Sequence, residues 1–247
     1  MDSAQHLQAG LLALLAGFSN FMGGLAITSR KSWDRAAFGM CLALGAGFML
    51  ALSVLKLLPL SLEYSSNATL YMLVGYLIVH FFEHTLSPHF HFGEEVHHEE
   101  LVKPVVGWTA FIGLAIHSLF DGIAMASGFA IDFSLGLIIF VALLLHKLPE
   151  GFTVATIFLV SGRSRAAALL ASTALGLLSI TGFFLLIRFK QHLGIALPIS
   201  AGATLYVAAS DLIPAVNEEK GIRMSLCVFV GVCLFYITES LIDKFGL

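Results

Sequence analysis

Eight long apolar runs, separated by short polar breaks, take up nearly the whole chain. They fall at about 7–28, 36–59, 68–86, 105–129, 134–160, 165–188, 194–215 and 222–243. A helix crosses a bilayer with roughly 20 mainly apolar residues, so each run predicts one crossing. The N-terminal stretch MDSAQHLQAG lacks a basic region, so the first run is expected to remain as a span rather than be removed as a signal peptide. The expected fold is all-α: a polytopic membrane protein with residues 1–247 as one transmembrane domain.

Composition agrees. Of 247 residues, 58% are hydrophobic and 12% charged, against about 25% charged in ordinary soluble domains. This excludes a typical soluble enzyme and a disordered chain. The balance of 13 Lys+Arg and 16 Asp+Glu gives a net charge of -3 and no basic face for a nucleic acid. Cys41, Cys227 and Cys233 lie in apolar runs without CxxC pairing and read as small hydrophobes. The basic residues are uneven. Loops after runs 1, 3, 5 and 7 hold Arg30, Lys31, Arg35, Lys103, Arg163, Arg165, Lys220 and Arg223, whereas the other side holds Arg188, Lys190 and Lys244. The positive-inside rule then places both termini outside the cell or in the periplasm, in a plasma or inner membrane.

An internal echo divides the chain. GAGFMLALSVLKLLPLSLE in run 2 matches SAGATLYVAASDLIPAVNE in run 7 at a constant offset of 155, which pairs Lys56 with Asp211, Pro59 with Pro214 and Glu63 with Glu218. HSLFDG (117–122) matches HKLPEG (146–151) in runs 4 and 5. Each pair crosses in opposite directions, which predicts an inverted 3+2+3 repeat, a hallmark of secondary transporters.

Ionisable residues deep in a span are costly and mark function. His117 and Asp121 share one face of span 4 at i,i+4, and His146 and Glu150 share one face of span 5. Two imidazoles and two carboxylates at one depth can surround a divalent cation, and that donor set suits zinc or iron(II) better than magnesium or calcium. Pro149 deprives the Leu145 carbonyl of its helical partner beside His146. Gly122 and Gly151 are expected to let helices 4 and 5 approach closely.

HSLFDG followed by HKLPEG, in spans 4 and 5 of eight, resembles the ZIP (Zrt/Irt-like) family of divalent-metal transporters, and the short chain looks most like its prokaryotic GufA-like branch. The resemblance implies import of zinc, and of iron, cadmium or manganese, into the cytoplasm, by an elevator-like movement of one helix bundle in what could be a homodimer. The metal is then substrate; no cofactor and no covalent chemistry are implied. The family's ligands carry over to His117, Asp121, His146 and Glu150, and a span 2 methionine ligand to Met49. Some relatives hold two metals, using an Asn after the span 4 His, a carboxylate after the first span 5 residue, and a span 6 Glu. Here those positions are Ser118, Lys147 and Ser179. Lys147 is expected to pair with Glu150 and to replace the second cation, leaving a mononuclear site.

Weaker signals flank the site. The loop at about 87–104, cytoplasmic by the charge count, carries His89, His91, His97 and His98 among glutamates and suits weak metal binding. His80, Glu83 and His84 end span 3 and read as an exit relay or interfacial polarity. Glu63 would lie at the outer mouth and Glu218 at the inner one, while Asp211 would line the inner path or pair with Lys56. Two rival readings use the same motif: a metal exporter, and an intramembrane metal-dependent hydrolase.

Overall fold

The computed structural model describes residues 3–29, 35–86, 104–188, 190–217 and 222–245. Every apolar run forms a helix. These are α1 (Ser3–Ser29), α2 (Arg35–Ala51, π-helical Leu52–Leu57, then Leu58–Tyr64), α3 (Ala68–Leu86) and α4 (Pro104–Ile131). The second half holds α5 (Phe133–Val160), α6 (Arg165–Arg188), α7 (Leu193–Tyr206, π-helical Val207–Leu212, then Ile213–Asn217) and α8 (Ile222–Phe245). Seven are long and apolar enough to cross a membrane; in α3 the described apolar stretch is the shorter Ala68–Phe82. Leucines and phenylalanines such as Leu11, Phe18, Leu177 and Phe229 stand exposed on the outside, where lipid tails replace water. The chain is an integral membrane protein.

Helix α2 runs past Pro59, although the ring would meet a regular i−4 carbonyl there. A π-helical turn precedes it, and the Leu58 N–H bonds to Ser53 O, five residues back. Helix α7 does the same before Pro214: the Ile213 N–H bonds to Ala208 O. The wider turn relieves the clash between proline and the preceding turn. The two π-turns lie 155 residues apart, the offset of the sequence echo. The matched glycines act alike too. Gly47 of α2 lies against the Val228 backbone of α8, and Gly202 of α7 against the Met72 backbone of α3.

The helices sort into two groups. α1, α4, α5 and α6 pack closely on one another, while α2 pairs with α8 and α3 with α7. Small residues set the first group's crossings, as expected where lipid gives no hydrophobic drive to helix association. Gly23 and Gly151 bring α1 onto α5, Gly17 and Gly176 bring α1 onto α6, and Gly122 and Gly182 bring α4 onto α6. Gly122 and Gly151 therefore do not serve the α4–α5 contact expected from sequence. Each follows a site carboxylate by one residue, about 100° around the helix, and so faces a different neighbour. The α5–α6 turn needs Gly162, the only residue with positive φ among those described (75°).

Candidate metal centre

Where α4 and α5 cross, one ligand atom from each of His117, Asp121, His146 and Glu150 lies within 4.8 Å of the others. All four side chains are buried, at 2–5% exposure. Donors around a tetrahedral zinc stand roughly 3.4 Å apart, given bonds of about 2.1 Å. A contraction of up to about 1.4 Å would thus close the set on an ion.

The histidines are prepared differently. His146 Nδ1 lies 2.7 Å from the Ala142 carbonyl, one turn back. A carbonyl only accepts, so Nδ1 carries a proton, and in the neutral ring Nε2 is the nitrogen left to take a metal. That Nε2 stands 3.2 Å from Asp121 Oδ2. His117 Nε2 stands 3.1 Å from the same oxygen. Neither ring nitrogen of His117 makes a hydrogen bond among the described residues. A buried imidazole without hydrogen bonds is costly, and a metal would satisfy it.

Lys147 points inward and is fully buried. Its ammonium lies 2.6 Å from Asp121 Oδ2 and 2.6 Å from Glu150 Oε2, and it donates to Ser118 Oγ at 2.9 Å. All three of its N–H groups are thereby used. Ser118 in turn donates to Glu150 Oε1 at 2.5 Å. The pairing of Lys147 with Glu150 is as the i,i+3 spacing predicts; the bond to Asp121 and the role of Ser118 are additional. Pro149 sits inside an unbroken α5. The Leu145 carbonyl it deprives of a donor faces Gly45 of α2, which also approaches His146.

Helices α2 and α7 close the site. A cavity of about 10 Å³, at the lower limit of room for one water, is lined by His117, His146, Glu150 and Asp211. Leu42, Leu114, Val207 and Leu212 complete it. Asp211 is 2% exposed and belongs to the π-turn of α7. Met49 is buried in the core one helical turn beyond Gly45 and is not part of this cavity lining.

Lys56 does not meet Asp211. It pairs with Glu239 of α8 at 2.6 Å. The reason is topological: α2 and α7 run in opposite directions, so Lys56 lies toward the Tyr64 end and Asp211 toward the Asn217 end, on the other side of the bundle. Glu63 is exposed near the end of α2. His80 is exposed on α3, with its ring edge-on to Tyr206 of α7 at 5.9 Å. Glu83 and His84 lie on α3, but their side chains fall outside the described set, as do His89, His91, His97, His98 and Glu218 altogether.

Sequence reasoning missed Asn20. This amide in the middle of α1 is fully buried. With its NH₂ turned to the Lys147 carbonyl, its oxygen accepts from the Gly176 N–H at 3.2 Å. It thus ties α5 and α6 to α1 at the level of the site. A lone amide amid an apolar run was the available signal.

Comparison with known proteins agrees with the geometry. The chain is 26% identical over 194 residues to the zinc transporter ZIP9-B of Xenopus laevis, covering 69% of this chain and 63% of that protein. It is 29% identical over 153 residues to the zinc transporter ZIP13 of Pongo abelii, covering 60% and 47%. A third relative, the zinc transporter foi of Drosophila melanogaster, is 28% identical over 141 residues, 56% of this chain and 20% of that one. The matches thus span less than two thirds of these relatives. The family model of the ZIP zinc transporters matches residues 93–239, which hold both the α4 and the α5 motifs. With that match over more than half its length, the chain belongs to the ZIP zinc transporter family.

Proposed function

We propose that the protein carries divalent transition-metal cations, zinc foremost, across the membrane into the cytoplasm, through the site between α4 and α5. One observation carries this reading: four buried donors of the right chemistry converge within 4.8 Å, and one of them, His117, has no hydrogen bond on either ring nitrogen. The cation sheds water, takes imidazole and carboxylate ligands, and leaves on the other side; no covalent step is involved. His117, Asp121, His146 and Glu150 are the ligands, and Met49, one turn along α2 from the His146 contact, is a candidate fifth. Lys147 stands where a second cation would otherwise sit, so the site takes one ion.

The cavity lies toward the side where α5 joins α6 and α7 joins α8. The excess of Lys and Arg on that side makes it the cytoplasmic one, which fits import and outward termini. The site rests on the α1/α4/α5/α6 group, and α2 and α7 of the other helices cover it. Movement of one group past the other would expose it alternately.

The test is zinc flux into proteoliposomes, wild type beside His146→Ala and Glu150→Ala. Saturable flux that both substitutions abolish is expected. Saturable flux that survives both would place the path elsewhere. Binding without flux would favour an enzyme or sensor on this scaffold, and outward-only flux would favour export.

A further inference from the structure

We propose that Ser118 determines metal specificity: its hydroxyl, together with Lys147, keeps Glu150 a one-oxygen ligand and so favours zinc over larger cations. The inference rests on the metal-site reading above. Both oxygens of Glu150 are engaged by neighbours. Ser118 donates to Oε1 at 2.5 Å, and Lys147 donates to Oε2 at 2.6 Å. Ser118 cannot turn its proton elsewhere without loss, because the same oxygen accepts from Lys147 at 2.9 Å. The three groups form a closed triangle in which each hydrogen bond fixes the next, and all three residues are buried, at 0–5% exposure.

A carboxylate bonded on both oxygens retains a lone pair on each, yet its rotation is stopped. To chelate a metal through both oxygens it would have to turn its open edge to the ion and give up one of these bonds. Zinc in a four-coordinate site takes one oxygen per carboxylate. Larger ions reach six to eight ligands and use carboxylates through both oxygens. Cadmium is the practical larger probe, since it shares zinc's taste for imidazole and differs mainly in size. The triangle therefore selects by denying the larger ion its second oxygen. Ser118 touches no reacting atom in this account; it is a positioning residue acting through Glu150.

The test is Ser118→Ala in the full-length protein, with equilibrium binding of Zn²⁺ and Cd²⁺ in detergent and uptake of each in proteoliposomes. Removing a group that orients a metal ligand lowers affinity about tenfold or more. Zinc affinity is expected to fall by about that factor. Cadmium gains an oxygen as it loses the orienting bond, so its affinity should stay within about threefold. The cadmium-to-zinc ratio then rises about tenfold, and Ser118→Thr, which keeps the hydroxyl, restores it. An equal loss for both metals, no change for either, or failure of Ser118→Thr to restore the ratio would overturn the proposal. Thermal unfolding of the variants separates a specificity change from a folding defect. A wild-type protein that binds no zinc in a His146-dependent way would instead overturn the metal-site reading itself.

Discussion

Replacing Lys147 by alanine tests the idea that an amino-acid cation stands in for a metal. The structure sets the size of the effect. The ammonium makes two charge-assisted bonds of 2.6 Å, to Asp121 and Glu150, and a third of 2.9 Å to Ser118, with no exposure to solvent or lipid. Bonds to charged partners contribute about 1.5–3 kcal/mol each. Removing one partner of a buried ion pair costs about 3–5 kcal/mol, because the remaining charge stays buried. Here two carboxylates would be left facing each other. The metal-free variant should therefore lose about 3–5 kcal/mol of stability, measured by denaturant unfolding in micelles. Zinc should recover much of this, since a ligand at a hundredfold excess over its Kd adds about 2.7 kcal/mol per site. The wild type should bind one zinc ion per chain, by elemental analysis after gel filtration. Two ions in the wild type would refute the substitution of metal by lysine, and so would a metal-free variant as stable as the wild type.

Imidazoles bind metal only when neutral, so with the proposed ligand set zinc uptake should fall as the medium is acidified toward about pH 5. Flux that stays level on that acidification in proteoliposomes would count against two histidine ligands. Gly151→Ala should destabilise the protein by about 1–3 kcal/mol through overpacking, since its methyl would overlap the Asn20 backbone. Gly10→Ala is the control: nothing lies within 4 Å of the added carbon, so it should be neutral or gain up to about 1 kcal/mol of helix stability. Equal unfolding midpoints for the two variants would refute the close α1–α5 packing.

Much of the fold is legible because the membrane allows so few solutions. Run length and polar breaks placed the helix ends of α1 and α4–α8 within a few residues. Helix α2 shows where that logic stops: Pro59 signals an end, yet the helix continues to Tyr64, because the π-turn before the proline is a backbone adjustment with no signature in residue type. The clustering at the candidate site was legible for a different reason. Ionisable side chains in mid-span need partners, and the i,i+4 pairs on α4 and α5 left few candidates. What the sequence does not carry is the choice of neighbour. Gly122 and Gly151 were recognisable as close-packing residues, but their partners on α6 and α1 depend on how the helices are arranged around them. Lys56 and Asp211 were matched as repeat equivalents, and an inverted repeat puts such equivalents on opposite sides, so resemblance in sequence argued against contact rather than for it. Ser118 was read only as a departure from a two-metal pattern; its place between Lys147 and Glu150 needs three side chains in space.

The charge balance gives a reason for a carrier to keep a lysine among the proposed metal ligands. With neutral imidazoles, Asp121 and Glu150 contribute two negative charges and Lys147 one positive. The empty site therefore carries one net negative charge, and the loaded site one net positive charge. Without the lysine, the empty site would bury two unpaired carboxylates, at the several kcal/mol worked out above, and the loaded site would be neutral. A carrier that alternates must be stable in both conditions, because it returns without its cargo. Tight binding alone would trap the ion, and a site that collapses when empty could not return. A tethered ammonium answers both demands: it supports the carboxylates whenever the metal is gone, and it repels the metal enough to let it leave. On this reasoning Lys147→Ala should raise zinc affinity while slowing turnover, so that kcat falls as KM falls. Faster turnover in that variant, in proteoliposomes at saturating zinc, would show that release is not what the lysine provides.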